Sequence, residues 1–213
     1  MDEQDLAQLV DIIIEKDLIV ISDEIYSELT YDRKHVSIAS FPGMKERTIV
    51  INGFSKSYAM TGWRLGYIAT DKELANVIIK FHQYSTTCSP TFIQQGLVNS
   101  LELPETERAV VEMLSAFARR REMILEGLKT INGITPVIPK GAFYVMVDVS
   151  ASGLTGMEFA RKLLEEFYVA TVPAIGLGDS CGDYIRISYA ASDEDIREGL
   201  QRMNAFVKSL KNA

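Results

Sequence analysis

Lys56 follows the β-branched run Thr48-Ile49-Val50-Ile51 and is set among Asn52, Gly53, Phe54, Ser55 and Ser57. A lysine at a strand end beside glycine and two hydroxyls suits two kinds of chemistry: a point charge for phosphate, or an amine nucleophile. A second polar cluster, Asp23-Glu24-Ile25-Tyr26, follows the apolar run Leu18-Ile19-Val20-Ile21. Ligands of open α/β sheets gather at the carboxyl ends of strands, which is where both clusters fall. The phosphate-loop pattern G-x-x-x-x-G-K-[ST] requires glycine at positions 50 and 55, where Val50 and Ser55 stand. Gly176-Leu177-Gly178 is followed by Asp179, Ser180 and Cys181 and opens no helix after a strand, so the dinucleotide fingerprint is missing as well. Amine chemistry remains.

Four runs extend this reading: Ser22-Asp23-Glu24-Ile25-Tyr26; Gly53 through Lys56, Thr61-Gly62-Trp63-Arg64 and on to Tyr67; Gly141-Ala142-Phe143-Tyr144; and Ile185-Arg186-Ile187-Ser188-Tyr189-Ala190. Together, in this order and over nearly the whole chain, they resemble the class I/II aminotransferases, specifically the aspartate-aminotransferase-like group. The resemblance implies an α/β chain that is the C-terminal part of a fold-type I transferase dependent on pyridoxal 5'-phosphate. Residues 1–104 would form part of the large cofactor-binding domain, and residues 105–213 a bridge helix with a small C-terminal domain. It implies that Lys56 holds the cofactor as a Schiff base and then shuttles a proton at the substrate α-carbon. Asp23 would face the pyridine nitrogen and keep it protonated, which the ring needs to act as an electron sink. Tyr26 would donate to the phenolic oxygen of the ring, and Ser55 and Arg64 would hold the phosphate. Arg64 lies eight residues after Lys56, as the family pattern requires. Arg186 would clamp the substrate α-carboxylate through its planar fork. The implied substrates are an L-amino acid and a 2-oxo acid, of aspartate or aromatic type, and the implied assembly is a homodimer.

The family also has an N-terminal half with a phosphate-cradling loop, an aromatic residue stacked on the ring and an Asn-Pro-x-Gly segment. None of these motifs is present in the 213 residues. The sequence is therefore expected to be a truncated product whose sheet lacks strands and leaves apolar edges. Val172-Pro173-Ala174-Ile175-Gly176-Leu177-Gly178 departs from the Pro-Gly and Phe-Gly pair of the family. Two other readings stand beside the aminotransferase: a non-catalytic fragment acting as a binding or assembly module, and a carbon–sulfur lyase of the same fold. The Thr-Gly-Trp-Arg run argues against the lyase.

The elements that must position these residues follow from periodicity. Leu6, Leu9, Val10, Ile13 and Ile14 recur at helical spacing and lead into a strand over 18–21; further strands are expected over 48–51 and 65–69. Thr70 with Glu73 reads as a capping box opening a helix with Leu74, Val77, Ile78 and Phe81 on its apolar side, ended by the Ser/Thr-rich stretch 84–90. A long amphipathic helix runs from about Glu105 to Asn132-Gly133. A strand over 142–149, a helix capped by Thr155 and Glu158, an alternating strand over 184–190 that turns Arg186 off its apolar face, and a closing helix from Ser192 complete the chain.

Composition points to small molecules or other protein chains as partners. The chain carries 22 basic and 29 acidic residues, a net charge of -7, so no basic face for nucleic acid is expected. The acidic Met1-Asp2-Glu3-Gln4-Asp5 start carries no secretory pattern, and no apolar run approaches membrane-spanning length, so a soluble cytoplasmic protein is expected. Cys88 and Cys181 lack metal or redox spacing, and no metal site is expected.

Plainer readings compete at several positions. Lys56 could be a solvated loop residue, Asp23 a helix cap, Tyr26 core packing and Arg186 an edge charge. Arg119-Arg120-Arg121 reads as the solvated face of the long helix, and His35 and His82 receive no role.

Overall fold

In the computed structural model, which describes residues 1–211, the chain divides into two compact units. One ends at Glu112 and the other begins at Met113.

In the first unit, α1 (Glu3–Glu15) is opened by a capping box in which Asp2 and Asp5 satisfy each other's backbone N–H groups. It buries Val10 and Ile13 against Ile38 and Met44. Asp17, with φ 49, turns the chain into β1 (Val20–Asp23). β2 (Thr48–Gly53) lies parallel to β1, with Asp23 level with Ile51. The one-turn helix α2 (Phe54–Ser57) follows at once, and β3 (Gly66–Ala69) returns antiparallel to β2, with Gly53 level with Gly66. The order is β1-β2-β3. β1 runs two residues later than its apolar residues suggest, because the ladder with β2 carries the extended backbone through Ser22 and Asp23.

α3 (Lys72–Ser85) is capped by Asp71, whose side chain accepts from the Glu73 N–H; the expected cap, Thr70, instead donates its hydroxyl to the Thr48 carbonyl. A cross-sheet hydrogen bond thus takes the Thr70 side chain away from the helix start, and aspartate, an equally good cap, replaces it. The apolar side expected on α3 is present, yet the helix buries none of its residues: Phe81 is 73% exposed. α4 (Thr91–Ser100), unforeseen in the sequence, buries only Leu97.

The long helix α5 (Pro104–Lys129) buries Arg121, Ile124, Leu125 and Leu128 near its C-terminal end. In the second unit β4 (Thr135–Val137), β5 (Tyr144–Asp148), β6 (Val172–Pro173) and β7 (Tyr184–Ser188) form an antiparallel sheet of order β4-β5-β7-β6. α6 (Gly156–Phe167) starts with the expected Thr155–Glu158 capping box, and α7 (Asp193–Leu210) with Ser192 as its cap. Phe159 and Phe206 meet edge to face, 4.9 Å between centroids, and both are fully buried, as are Val145, Val147 and Ile185 of the sheet. Gly156 is required by space: a Cβ there would lie 2.3 Å from the Tyr184 carbonyl oxygen.

Of Arg119-Arg120-Arg121, expected as a solvated face, only Arg119 is exposed. Arg121 is only 8% exposed and donates from Nε to the Pro139 carbonyl at 2.7 Å, and the Arg120 Nε reaches Asp193 at 2.9 Å. The triplet fastens α5 to the turn before β5 and to the start of α7. Among the described residues no helix is long and apolar enough to cross a membrane, and no group of three metal-ligating side chains occurs.

Candidate active site

Asp23 is the last residue of β1, and α2, carrying Ser55 and Lys56, begins immediately after β2. Arg64 stands two residues before β3, whose first residue, Gly66, is paired with Gly53. The parallel β1–β2 and antiparallel β2–β3 registers therefore bring Asp23, Tyr26, Ser55, Lys56 and Arg64 to the same end of one sheet. Arg186 belongs to the second unit, in the middle of β7.

This end of the sheet is tied together locally. Asn52 donates from Nδ2 to the Ser27 hydroxyl at 3.1 Å, and its Oδ1 accepts the Gly53 N–H at 2.7 Å, so the strand before Lys56 is linked to the turn after Asp23. Gly53 is needed for close approach: a Cβ would sit 3.0 Å from Gly66 Cα and 3.1 Å from the Leu65 carbonyl oxygen. Asp23 is exposed, and its Oδ1 accepts the Ile25 N–H at 3.2 Å. That bond makes a tight turn, since no helix follows for Asp23 to cap. Tyr26 is half-buried, and its carbonyl accepts from the Leu29 N–H.

Arg64 adopts the left-handed conformation, φ 55 and ψ 43, and is exposed. One of its five donors, on Nη1, is used on the Thr61 carbonyl at 2.9 Å. Lys56 and Ser55 are half-buried. Ser57, next to the lysine, is 1% exposed, and its Oγ finds no partner among the described residues. The ring of Phe54 lies 5.7 Å from those of both Tyr58 and Tyr67. Burial first, then the Glu28 carboxylate and Tyr67, push the Tyr58 phenol above its ordinary value of 10.0.

An amine, a carboxylate, a guanidinium and hydroxyls at one sheet end can take a ligand with an aldehyde, a basic ring nitrogen and a phosphate. The exposed Arg64 fork fits an anionic group there. A cavity of about 600 Å³ opens on the sheet between β2, β3 and α3, lined by Ile51, Asn52, Tyr67, Ile78 and His82 among others. None of the expected site residues lines it.

In the second unit Arg186 lies with its guanidinium carbon 4.4 Å from the centroid of the Tyr144 ring. The turn before β5 is held by Tyr189, whose hydroxyl donates to the Ala142 carbonyl at 3.0 Å and whose N–H donates to the Phe143 carbonyl.

Sequence reasoning placed Glu24 and Asn52 in the two polar clusters but gave neither a role, and it gave none to His35. Glu24 is buried and hydrogen-bonded to Ser22, Ser37 and His35. The partners lie up to thirteen residues away in an irregular loop, where periodicity gives no signal.

Comparison with known proteins adds to this geometry. The family model described as "Aminotransferase class I and II" matches residues 1–203. An aspartate aminotransferase of Pyrococcus abyssi is 42% identical over 212 residues, covering 99% of this chain and 54% of that protein. Aromatic-amino-acid aminotransferase 2 of Thermococcus litoralis is 39% identical, with 99% and 54% covered. The crystal structure of an aromatic aminotransferase from Pyrococcus horikoshii OT3 superposes with a TM-score of 0.96 at 42% identity, covering 100% of this chain and 57% of that one. The chain spans about half the length of the curated relatives it matches.

Proposed function

The chain belongs to the class I and II aminotransferases, and from that premise we propose that it is the lysine-bearing half of an enzyme that uses pyridoxal 5'-phosphate to move an amino group between an L-amino acid and a 2-oxo acid. The observation that carries this reading is the gathering of Asp23, Lys56 and Arg64 at one end of the β1-β2-β3 sheet. When bound, the cofactor supplies an electron-poor ring that stabilises charge developing at the substrate α-carbon. Lys56 holds the cofactor covalently through its ε-nitrogen and moves the proton at the α-carbon. Asp23 keeps the ring nitrogen protonated, and Tyr26 donates to the ring oxygen. Ser55 and Arg64 hold the phosphate. Arg186 takes the substrate α-carboxylate, and the stacked Tyr144 ring limits how far its guanidinium can swing.

The relatives named for aspartate and for aromatic amino acids support substrates of those types. On the same family grounds the enzyme works as a cytoplasmic homodimer, with residues 1–104 in the cofactor-binding domain and the remainder forming the bridge helix and small domain.

The exposed surface supports a second reading, in which this polypeptide by itself is a non-catalytic binding or assembly module. Ile21, Phe81, Tyr84 and Phe92 all face solvent in the first unit, as an assembly surface does.

Assay with aspartate and 2-oxoglutarate in the presence of pyridoxal phosphate separates the two. Turnover that disappears in Lys56→Ala supports the enzyme. Absence of turnover in the wild-type chain supports the module.

A further inference from the structure

Glu24 is 7% exposed and is the one buried acid among the described residues. A buried carboxylate is costly unless its oxygens are fully engaged, and both are. Oε1 accepts from the Ser22 hydroxyl at 3.0 Å and the Ser37 hydroxyl at 2.7 Å, while Oε2 is hydrogen-bonded to the His35 Nε2 at 2.9 Å. The backbone is engaged too. The Glu24 N–H donates to the Ile51 carbonyl at 2.8 Å, one residue beyond the β1–β2 ladder, and the Glu24 carbonyl accepts from Ser27.

These bonds hold both ends of a short turn. Neighbouring residues of an extended chain point to opposite sides, so the inward Glu24 leaves Asp23 exposed at the sheet end, with Tyr26 two residues further along. The anchor reaches the hydrophobic core. Ser37, which holds Oε1, also caps the turn Ile38–Ser40 by accepting the Ala39 N–H, and Ile38 is packed with Val10, Ile13 and Met44. A displacement of the Asp23–Tyr26 turn must therefore break charged hydrogen bonds and disturb that packing.

We propose that Glu24 is a positioning residue for the cofactor ring: clamped by Ser22, His35 and Ser37, it fixes the turn that presents Asp23 and Tyr26. The proposal rests on the reading of Asp23 as the partner of the ring nitrogen. Glu24 touches neither cofactor nor substrate. A Glu24→Gln side chain has the same shape but loses the charge that strengthens these bonds, and by turning the oxygen that faces His35 into a donor it keeps that contact only when the imidazole presents Nε2 as an acceptor.

The test has two arms on the 213-residue chain. Amide hydrogen exchange is measured first, without cofactor. Glu24→Gln is expected to raise exchange at Ile25, Ser27 and Leu29 about tenfold while leaving Val145 and Val147 unchanged. Ser37→Ala, which keeps the carboxylate and removes one donor, gives a smaller rise. Spectroscopic titration with pyridoxal phosphate follows. Glu24→Gln is expected to weaken uptake about tenfold and to shift the pH at which the visible band of the bound cofactor changes, as Asp23→Asn does more strongly. Unchanged exchange at the three amides in both variants overturns the inference outright. Faster exchange with unaltered uptake and spectrum also overturns it, because Glu24 is then structural alone. A wild-type chain that takes up no cofactor brings down the proposed function and this inference with it, and the exchange arm tells that failure from a failure of the clamp.

Discussion

The Arg186 guanidinium lies over the face of Tyr144, 4.4 Å from the ring centroid, on adjacent antiparallel strands. A cation over an aromatic face gains about 0.5–2 kcal/mol, more as water is excluded. Tyr144→Leu is therefore expected to raise the KM for the amino acid by about 2- to 30-fold with little change in kcat, whereas Tyr144→Phe retains the wild-type KM. Steady-state kinetics of both variants checks this. An equal loss in the two would point to the hydroxyl and not the ring.

Gly156 at the first turn of α6 has no room for a side chain, since its Cβ would meet the Tyr184 carbonyl at 2.3 Å. Gly156→Ala is expected to cost about 1–3 kcal/mol or more, the range for overpacking. Gly176, where an added methyl group would meet nothing within 4 Å, serves as the control and is expected to tolerate alanine with a change below about 0.5 kcal/mol. Denaturant unfolding of the two variants makes the comparison.

Much of this was legible in the sequence, and what was not has physical reasons. Asp23 and Lys56 could be placed at the end of the first sheet because short β-rich runs mark strands well and polar residues after them mark the strand ends, whereas Arg64, which precedes β3, was named by the resemblance alone. The Thr155 and Ser192 caps were readable because each bonds within its own first turn. Thr70 misled because its hydroxyl is claimed by Thr48, twenty-two residues away, and Arg121 because a basic triplet on a helix gives no sign of the Pro139 carbonyl it meets. β4 and β6 have three and two residues, too few for any period to show. The Glu24–His35–Ser37 cluster is assembled by an irregular connection between β1 and β2, where only coordinates reveal which side chains meet.

Asp193 gives a pH-dependent prediction. The Arg120 hydrogen bond, the largest favourable cause, together with Arg119, holds its carboxyl below the ordinary 3.8. A carboxylate with a depressed folded value contributes stability that is present above the unfolded value and lost as pH falls through the folded one. Asp193→Asn should thus lower Tm at neutral pH, and the gap to wild type should close as the solution is acidified below 3.8. A gap that persists in acid would assign the effect to helix capping or packing.

Phe81 on α3 is 73% exposed. Phe81→Lys should change the unfolding free energy of the chain by less than about 0.5 kcal/mol, as exposed substitutions do, while reducing concentration-dependent self-association read by analytical ultracentrifugation. A large loss of stability would show that the helix face is covered in solution.

The central claim concerns one nitrogen. Incubation of the chain with pyridoxal phosphate, reduction with borohydride and peptide mass spectrometry should place a single phosphopyridoxyl group on Lys56, with labelling much reduced in Arg64→Ala. Label spread over surface lysines, or no label at Lys56 under conditions where the chain is folded, would contradict the account.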